Sequence, residues 1–272
     1  MTKILFNGKL VNESSLNLEY NSDWARFSPG FFETMKVYHG QILFWEDHFE
    51  RMKLGAKFWK VKLPGKKKLT HQLQKLIVKN GHLNARLRIQ FNASLENSNL
   101  DYLATTVPLD ESDEFIWIEK GWKLGLYKDH YKAIEKNGFK ANNRNIYLLA
   151  KKSAHQKGFD DALVMNTAKR VTDSTACSLF WVKKGKIYTT PVSEGGIDGT
   201  LSKFLKSQQK PWKIKISEKI CTVHTLMDAD EIFLTNVIRG IRWIKTFRGR
   251  NYENTISRQL FNQLKNWESQ WK

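Results

Sequence analysis

Three apolar runs in this chain turn back on themselves through two residues ending in glycine: ILF-NG-KLV at 4–11, KVY-HG-QIL at 36–43 and WVK-KG-KIY at 181–188. Glycine takes the left-handed backbone of such turns without a Cβ clash, and so short a connection joins only antiparallel strands. Further strand-like runs follow the same habit: RLRIQFNAS, DYLATTVPL, EFIWIEKGWKLGLY (two strands), DALVMN, RVTDST and EIFLTN. Helical patterning is confined to separate segments. EDHFERMKLGAKFWKV has an acidic first turn and apolar residues at Phe49, Met52, Leu54, Ala56 and Phe58. Residues 70–79 form a second helix, a third opens near Asn143 with an asparagine cap, and Asp198 to Gln209 forms a fourth. Strands outnumber helices and the helices stand singly, so the fold class is α+β and not a regular βαβ alternation.

The chain of 272 residues, 41% hydrophobic, is long enough for one large domain or two modest ones. Pro108 and the acidic stretch after it mark a composition shift, which divides the chain into a smaller α+β domain at 1–109, a linker at 110–114 and a larger domain at 115–272. The net charge of +18 raises nucleic-acid binding as a class. The basic residues are dispersed, however, with short runs only at 66–68 and 183–184, and no zinc-ligand or helix-turn-helix signature accompanies them. The expectation is no nucleic-acid partner and no metal, with a positive field that favours small anions. Cys177 and Cys221 sit in apolar runs and read as buried thiols. The opening residues lack a leader's apolar region, and no run approaches the roughly 20 apolar residues of a membrane span. A soluble, cytoplasmic protein without a membrane partner is expected.

Five places carry residues with chemistry. Lys140, in GFKANNRN, is either one more solvated lysine or an amine held for attack on a carbonyl. Asp173, in RVTDST, is either a turn cap or a carboxylate for a cationic ring nitrogen. GGIDGTLSKFL, 195–205, is a glycine turn entering a helix, plain or anion-binding. LTNVIRGIR, 234–242, places Thr235-Asn236 just after a strand as a second backbone cradle. Arg51 follows Glu46, Asp47 and His48 on the first helix.

Taken in order, FFETMKVYHGQILFWEDHFERM, KANNRN, RVTDSTACSLF, GGIDGTLSK and DEIFLTNVIRGIR resemble the pyridoxal-phosphate enzymes of fold type IV. That family holds branched-chain and D-amino acid aminotransferases and 4-amino-4-deoxychorismate lyase, and the resemblance runs from Phe6 to about Ile244. It implies the two-domain architecture of the D-amino acid aminotransferases, pyridoxal 5'-phosphate as cofactor, a small-molecule amino substrate and a homodimer. It further implies that Lys140 carries the cofactor as a Schiff base and shuttles the substrate proton. Asp173 stands where the family has glutamate, one methylene longer, to keep the pyridine nitrogen protonated. Arg51 matches the arginine on the cofactor phosphate, and Gly199-Thr200-Leu201 and Asn236-Val237 match the two turns of the phosphate cup.

Glu33-Thr34 fits the family's FET and, with Ser178, falls near the substrate pocket. The chain departs from the pattern at Ser28-Pro29-Gly30 for GDG, at Gln90-Phe91-Asn92-Ala93 where a loop arginine is common, at Ser178 for asparagine and at Trp243 for proline. The Lys-x-x-Asn spacing and the TNVIRGIR run look closest to the lyase branch, which releases pyruvate and leaves 4-aminobenzoate. An aminotransferase of branched-chain or D-amino acid type is the alternative, followed by a non-catalytic or nucleic-acid-binding protein on the same scaffold.

Overall fold

The computed structural model describes residues 2–109 and 114–271, so all of the expected linker except Glu114 lies outside the described residues. The chain divides into two compact units. The first opens with β1 (Lys3–Phe6) and β2 (Lys9–Asn12), joined through Asn7 and Gly8 at φ +47° and +85°. A short helix α1 (Asp23–Phe27) precedes the hairpin of β3 (Gly30–Tyr38) and β4 (Gln41–Ile42). Then come α2 (Trp45–Trp59), α3 (Lys66–Asn80), β5 (Ala85–Ala93) and β6 (Leu100–Pro108). The six strands form one antiparallel sheet in the order β2-β1-β6-β5-β3-β4. Its core joins Leu5, Met35, Val37, Leu87 and Ile89 of the strands to Met52, Ala56, Leu73 and Ile77 of α2 and α3.

Two expectations change in this unit. Helix α3 begins four residues before position 70, because Leu69, Leu73, Leu76 and Ile77 make one continuous buried stripe that reaches back to its first turn. In α2 the buried face is Phe49, Met52, Gly55 and Ala56, while Leu54 and Phe58 are 43% and 53% exposed. At 100° per residue, positions 54 and 58 lie across the helix from 52 and 56. Gly55 is the close approach: a Cβ there would stand 2.5 Å from the Phe31 ring.

The second unit contains β7 (Trp122–Leu126), α4 (Asn145–Gln156), β8 (Asp161–Met165), β9 (Val171–Ser174), β10 (Ser178–Lys183) and β11 (Lys186–Thr189). It continues with α5 (Thr200–Ser207), β12 (Ile216–Glu218), α6 (Val223–Asp228), β13 (Glu231–Asn236), β14 (Gly240–Phe247), β15 (Arg250–Asn251) and α7 (Thr255–Glu268). Strand β9 pairs with β8 on one side and, through the single partners Asp173 and Ser178, with β10 on the other. That one pair closes β10-β13-β14-β7-β8-β9 into a ring. Closure brings side chains from distant segments onto one inner face.

EFIWIEKGWKLGLY contributes one strand, β7, and not two. Its apolar first half is used for packing: Trp117 stacks on Trp243, whose indole N–H donates to the Ile118 carbonyl at 2.8 Å. Trp243 therefore has a structural task that the family's proline could not perform. Helix α4 starts at Asn145, and its N-cap position is Arg144, which makes no side-chain capping bond, so Asn143 is not the cap. Helix α5 is shorter than expected because Gly199 is still extended, at φ −65° and ψ 128°. Both cysteines are buried, and burial pushes the Cys177 thiol up to about 12.

The stretch Phe139–Asn143, expected with the larger domain, belongs by its contacts to the first unit. Lys140 and Asn142 lie along the outer edge of β3: the Phe32 N–H donates to the Lys140 carbonyl and the Asn142 N–H to that of Gly30, at 2.9 and 3.0 Å. The Asn142 side chain donates across to the Phe91 carbonyl at 2.9 Å. Gly30, at φ +140°, permits this packing, since a Cβ there would lie 2.1 Å from the Phe91 oxygen.

Candidate active site

The ring closure in the second unit sets three side chains in one row. Asp173 is partnered with Ser178, and Ser178 with Thr235 on β13, so their side chains share a face. Asp173 and Thr235 are buried and Ser178 is half-buried. Asp173 is held on both oxygens. Oδ1 accepts from the Thr172 hydroxyl at 2.7 Å, and Oδ2 accepts from the Tyr147 hydroxyl at 2.9 Å and the Ile197 N–H at 3.3 Å. The Lys132 ammonium stands 3.4–3.5 Å from the two oxygens and also contacts the Tyr147 hydroxyl. Burial first, then the charge and hydrogen bond of Asp173, push the Tyr147 phenol well above its usual value, so it remains a neutral donor.

At the other end of the row the chain enters α5 through Gly199. A Cβ on Gly199 would lie 2.2 Å from Ser178 Oγ, so glycine is what lets the helix start lie against the row. The cap of α5 carries no side-chain bond, leaving its first N–H groups for another acceptor. Beside it, the hydroxyls of Thr200 and Thr235 are buried with no hydrogen-bond partner among the described residues. Leu201 points into the core, so only its backbone faces outward chemistry. Asn236 folds the β13–β14 turn: its side-chain oxygen accepts from the N–H groups of Ile238 and Arg239 at 3.0 and 2.9 Å. Val237, inside that turn, is buried.

The first unit carries a different cluster. Glu33 on β3 accepts from Arg51 Nε at 2.6 Å and Nη2 at 2.7 Å, a bidentate pair, and from His48 Nδ1 at 2.8 Å. All three are buried. Burial alone would raise the Glu33 carboxyl, but the charge and hydrogen bonds of Arg51, with His48 behind them, hold it well below the usual carboxylate range. Burial pushes His48 down to about 4, against the pull of Glu33 and with help from the charges of Arg51 and Lys140. Neighbouring strand residues point to opposite faces, so Glu33 lies on the helix-covered side, while the half-buried Thr34 shares the far side with Phe32. Over Phe32 stand two cations, the Arg88 guanidinium at 4.1 Å and the Lys140 ammonium at 5.7 Å from the ring centre.

The sites thus gather as Asp173, Ser178, Gly199, Thr200 and Asn236 in one unit, and Lys140, Glu33 and Arg51 in the other. Sequence reasoning missed Tyr147, Lys132 and His48. The His48–Arg51 spacing on one helix face was a usable signal; the partners of Asp173 left none. The residues fit pyridoxal phosphate. An uncapped helix start with two unsatisfied hydroxyls suits a phosphate, a buried carboxylate suits a pyridinium, and a half-buried lysine suits a carbonyl. Among the described residues no cluster suits a metal ion, and no helix is long and apolar enough to cross a membrane.

The sequence model of amino-transferase class IV matches residues 30–247. The chain is 24% identical over 225 residues to the aminodeoxychorismate lyase of Vibrio harveyi, covering 79% of this chain and 82% of that protein. It is 25% identical over 276 residues to the D-alanine aminotransferase of Staphylococcus epidermidis, covering 96% and 95%. In fold it is similar to the branched-chain amino acid aminotransferase of Escherichia coli, with a TM-score of 0.86 at 18% identity over 98% of this chain and 95% of that one. A second similar structure, a hypothetical aminotransferase from Mycobacterium tuberculosis, is in a PLP-bound form (TM-score 0.83, 15% identity, 98% of each chain covered). The match over most of its length places the chain in the class IV aminotransferase family, whose members are pyridoxal-phosphate-dependent enzymes.

Proposed function

We propose that the chain is an enzyme of the 4-amino-4-deoxychorismate lyase type, which takes up the amine of its substrate, expels pyruvate and leaves 4-aminobenzoate. When bound, pyridoxal phosphate supplies an electron sink in conjugation with the substrate amine. Lys140 is the residue that would hold the cofactor through its carbonyl carbon and would move the substrate proton as a general base and acid. Asp173 would hold the ring nitrogen. The start of α5, with the Thr200 and Thr235 hydroxyls, and the Asn236-Val237 turn would receive the phosphate; Arg51, which the family pattern also assigns to it, is engaged by Glu33 within the first unit. Glu33 fixes the plane of Arg51 by its two-pronged bond, so its part is to orient that arginine.

The observation that carries the choice of reaction is Asp173 itself. It is a short carboxylate already engaged by Thr172, Tyr147, Ile197 and Lys132. A carboxylate shared among so many donors supports a pyridinium less strongly. The lyase reaction tolerates that best, because formation of an aromatic product supplies driving force that a transamination lacks. The family relationship supports a homodimer, and the dispersed charge supports an enzyme without a nucleic-acid partner; a cytoplasmic location is part of the same proposal.

The test is direct. Supplied with aminodeoxychorismate, the cofactor-loaded protein releases pyruvate and 4-aminobenzoate in equal amounts. Amino transfer to 2-oxoglutarate with no pyruvate formed overturns the lyase reading in favour of an aminotransferase.

A further inference from the structure

Lys132 has been assigned no contact with substrate or cofactor, yet its placement beside Asp173 is elaborate. Its backbone bridges to Asn166 beyond the end of β8, with its N–H on the Met165 carbonyl at 2.9 Å and its carbonyl accepting from Thr167 at 2.9 Å. That anchorage carries the side chain inward, to 11% exposure, where the ammonium lies over the Tyr147 ring, touches its hydroxyl and meets both oxygens of Asp173. Burying a lysine stem costs side-chain entropy and desolvation, and a charge so placed acts strongly on its neighbours because little water screens it. The other groups around Asp173 are uncharged donors, Thr172, Tyr147 and the Ile197 N–H, together with Arg144 at the start of α4. The Arg144 side chain donates to the Thr175 carbonyl at 3.1 Å and lies 5.6 Å from the Tyr147 ring centre. Lys132 brings its ammonium to 3.4–3.5 Å from the carboxylate, and the Arg144 charge acts on Asp173 as well.

We propose that Lys132 is a positioning residue that acts through Asp173 and sets how firmly the ring nitrogen of the bound cofactor keeps its proton. This rests on the reading that Asp173 faces that nitrogen. A pyridinium is stabilised by the negative field of the carboxylate beside it, and an ammonium on the same carboxylate cancels part of that field. Glutamate would bring its charge one methylene closer to the ring. Here the shorter aspartate is held by the Lys132 ammonium and by the Tyr147 hydroxyl. Lys132 thus tunes the electron sink down, in favour of a reaction whose own product supplies the driving force.

The test uses the reconstituted enzyme with 15N-labelled pyridoxal phosphate and follows the ring-nitrogen resonance against pH, which reports protonation without any turnover. Lys132→Met raises the midpoint by about one pH unit, and Lys132→Arg, which keeps the cation, returns it to the wild-type value. Lys132→Gln, which keeps a hydrogen-bonding group but no charge, gives the same rise and serves if the methionine variant does not fold. A lysine that merely holds the structure would change melting temperature and leave the midpoint in place. Asp173→Asn is the control for the underlying reading and lowers the midpoint sharply. If Asp173→Asn moves the midpoint and the neutral Lys132 variants do not, the role of Lys132 is overturned and that of Asp173 stands. If the midpoint ignores Asp173 as well, or no cofactor binds, the functional reading falls with it.

Discussion

Glu33 and Asp173 are acids of nearly equal burial, 1% and 4% exposed, with partners of different kinds. Glu33 is saturated by a bidentate guanidinium and an imidazole, each within 2.8 Å. Asp173 is held by a phenol, a hydroxyl, a backbone N–H and a longer contact to an ammonium, and its row ends beside hydroxyls that have no partner among the described residues. A buried carboxylate so fully paired serves structure: removing one member of the pair strands the other, and the acid has little left over for a ligand. A row whose polar groups outnumber their partners carries a cost in the empty protein that a ligand can relieve. The contrast separates a support from a site.

The contrast can be broken at either end. The largest effect belongs to Glu33→Gln, which strands the Arg51 charge inside the first unit and costs about 3–5 kcal/mol in denaturant unfolding. A loss below about 1 kcal/mol would mean that the cluster is not saturated as described.

His48 gives the next largest effect through pH. Its folded value, about 4, lies below the 6.5 of the free side chain, so the unfolded chain takes up the proton first as pH falls. Its contribution is complete above pH 6.5 and is lost as pH falls towards 4, a decline of roughly 3 kcal/mol. The depressed Glu33 adds a further loss below its unfolded value of 4.5. His48→Asn, which can still donate to Glu33, flattens the stability curve between pH 6.5 and 4.5; an unchanged slope would assign the decline to other groups.

At the other end, Gly199→Ala places a methyl against Ser178 Oγ and costs about 1 kcal/mol of stability and roughly tenfold in cofactor affinity. Adding Ser178→Gly relieves both; failure to recover would remove Ser178 from the cradle. The smallest effect is the most diagnostic. Thr235→Val removes a buried hydroxyl that has no partner among the described residues, so the cofactor-free protein keeps its stability or gains a few tenths of a kcal/mol, while cofactor affinity falls several-fold. A clear loss of stability without cofactor would show that the hydroxyl already has a partner.

What could be read from sequence follows the range of the interactions involved. The three hairpins were legible because asparagine, histidine or lysine before glycine decides a turn within four residues. The start of α3 was not, since three lysines oppose the helix dipole there and only Leu69 signals the buried stripe. Phe115 and Trp117 alternate as strand residues do, but contacts more than a hundred residues away decide their conformation: Trp117 stacks on Trp243 and Phe115 packs against Gly240. The order of the five motifs was enough to place the family. The partners of Asp173 were not legible, because Tyr147 and Lys132 lie 26 and 41 residues away and meet it only once β9 has closed the ring. Glu33 was expected near substrate on its place in FET, and its saturation by Arg51 and His48 depends on how α2 lies on β3.

The central claim is that one lysine among the many in this chain holds the cofactor. Reducing the pyridoxal-phosphate-loaded protein with borohydride and mapping the labelled peptide tests it most directly. The account predicts a yellow protein whose label is fixed on Lys140 and is absent from Lys140→Ala, with the fold retained. A label on another lysine, or a Lys140→Ala variant that is still labelled and still turns over, would contradict it.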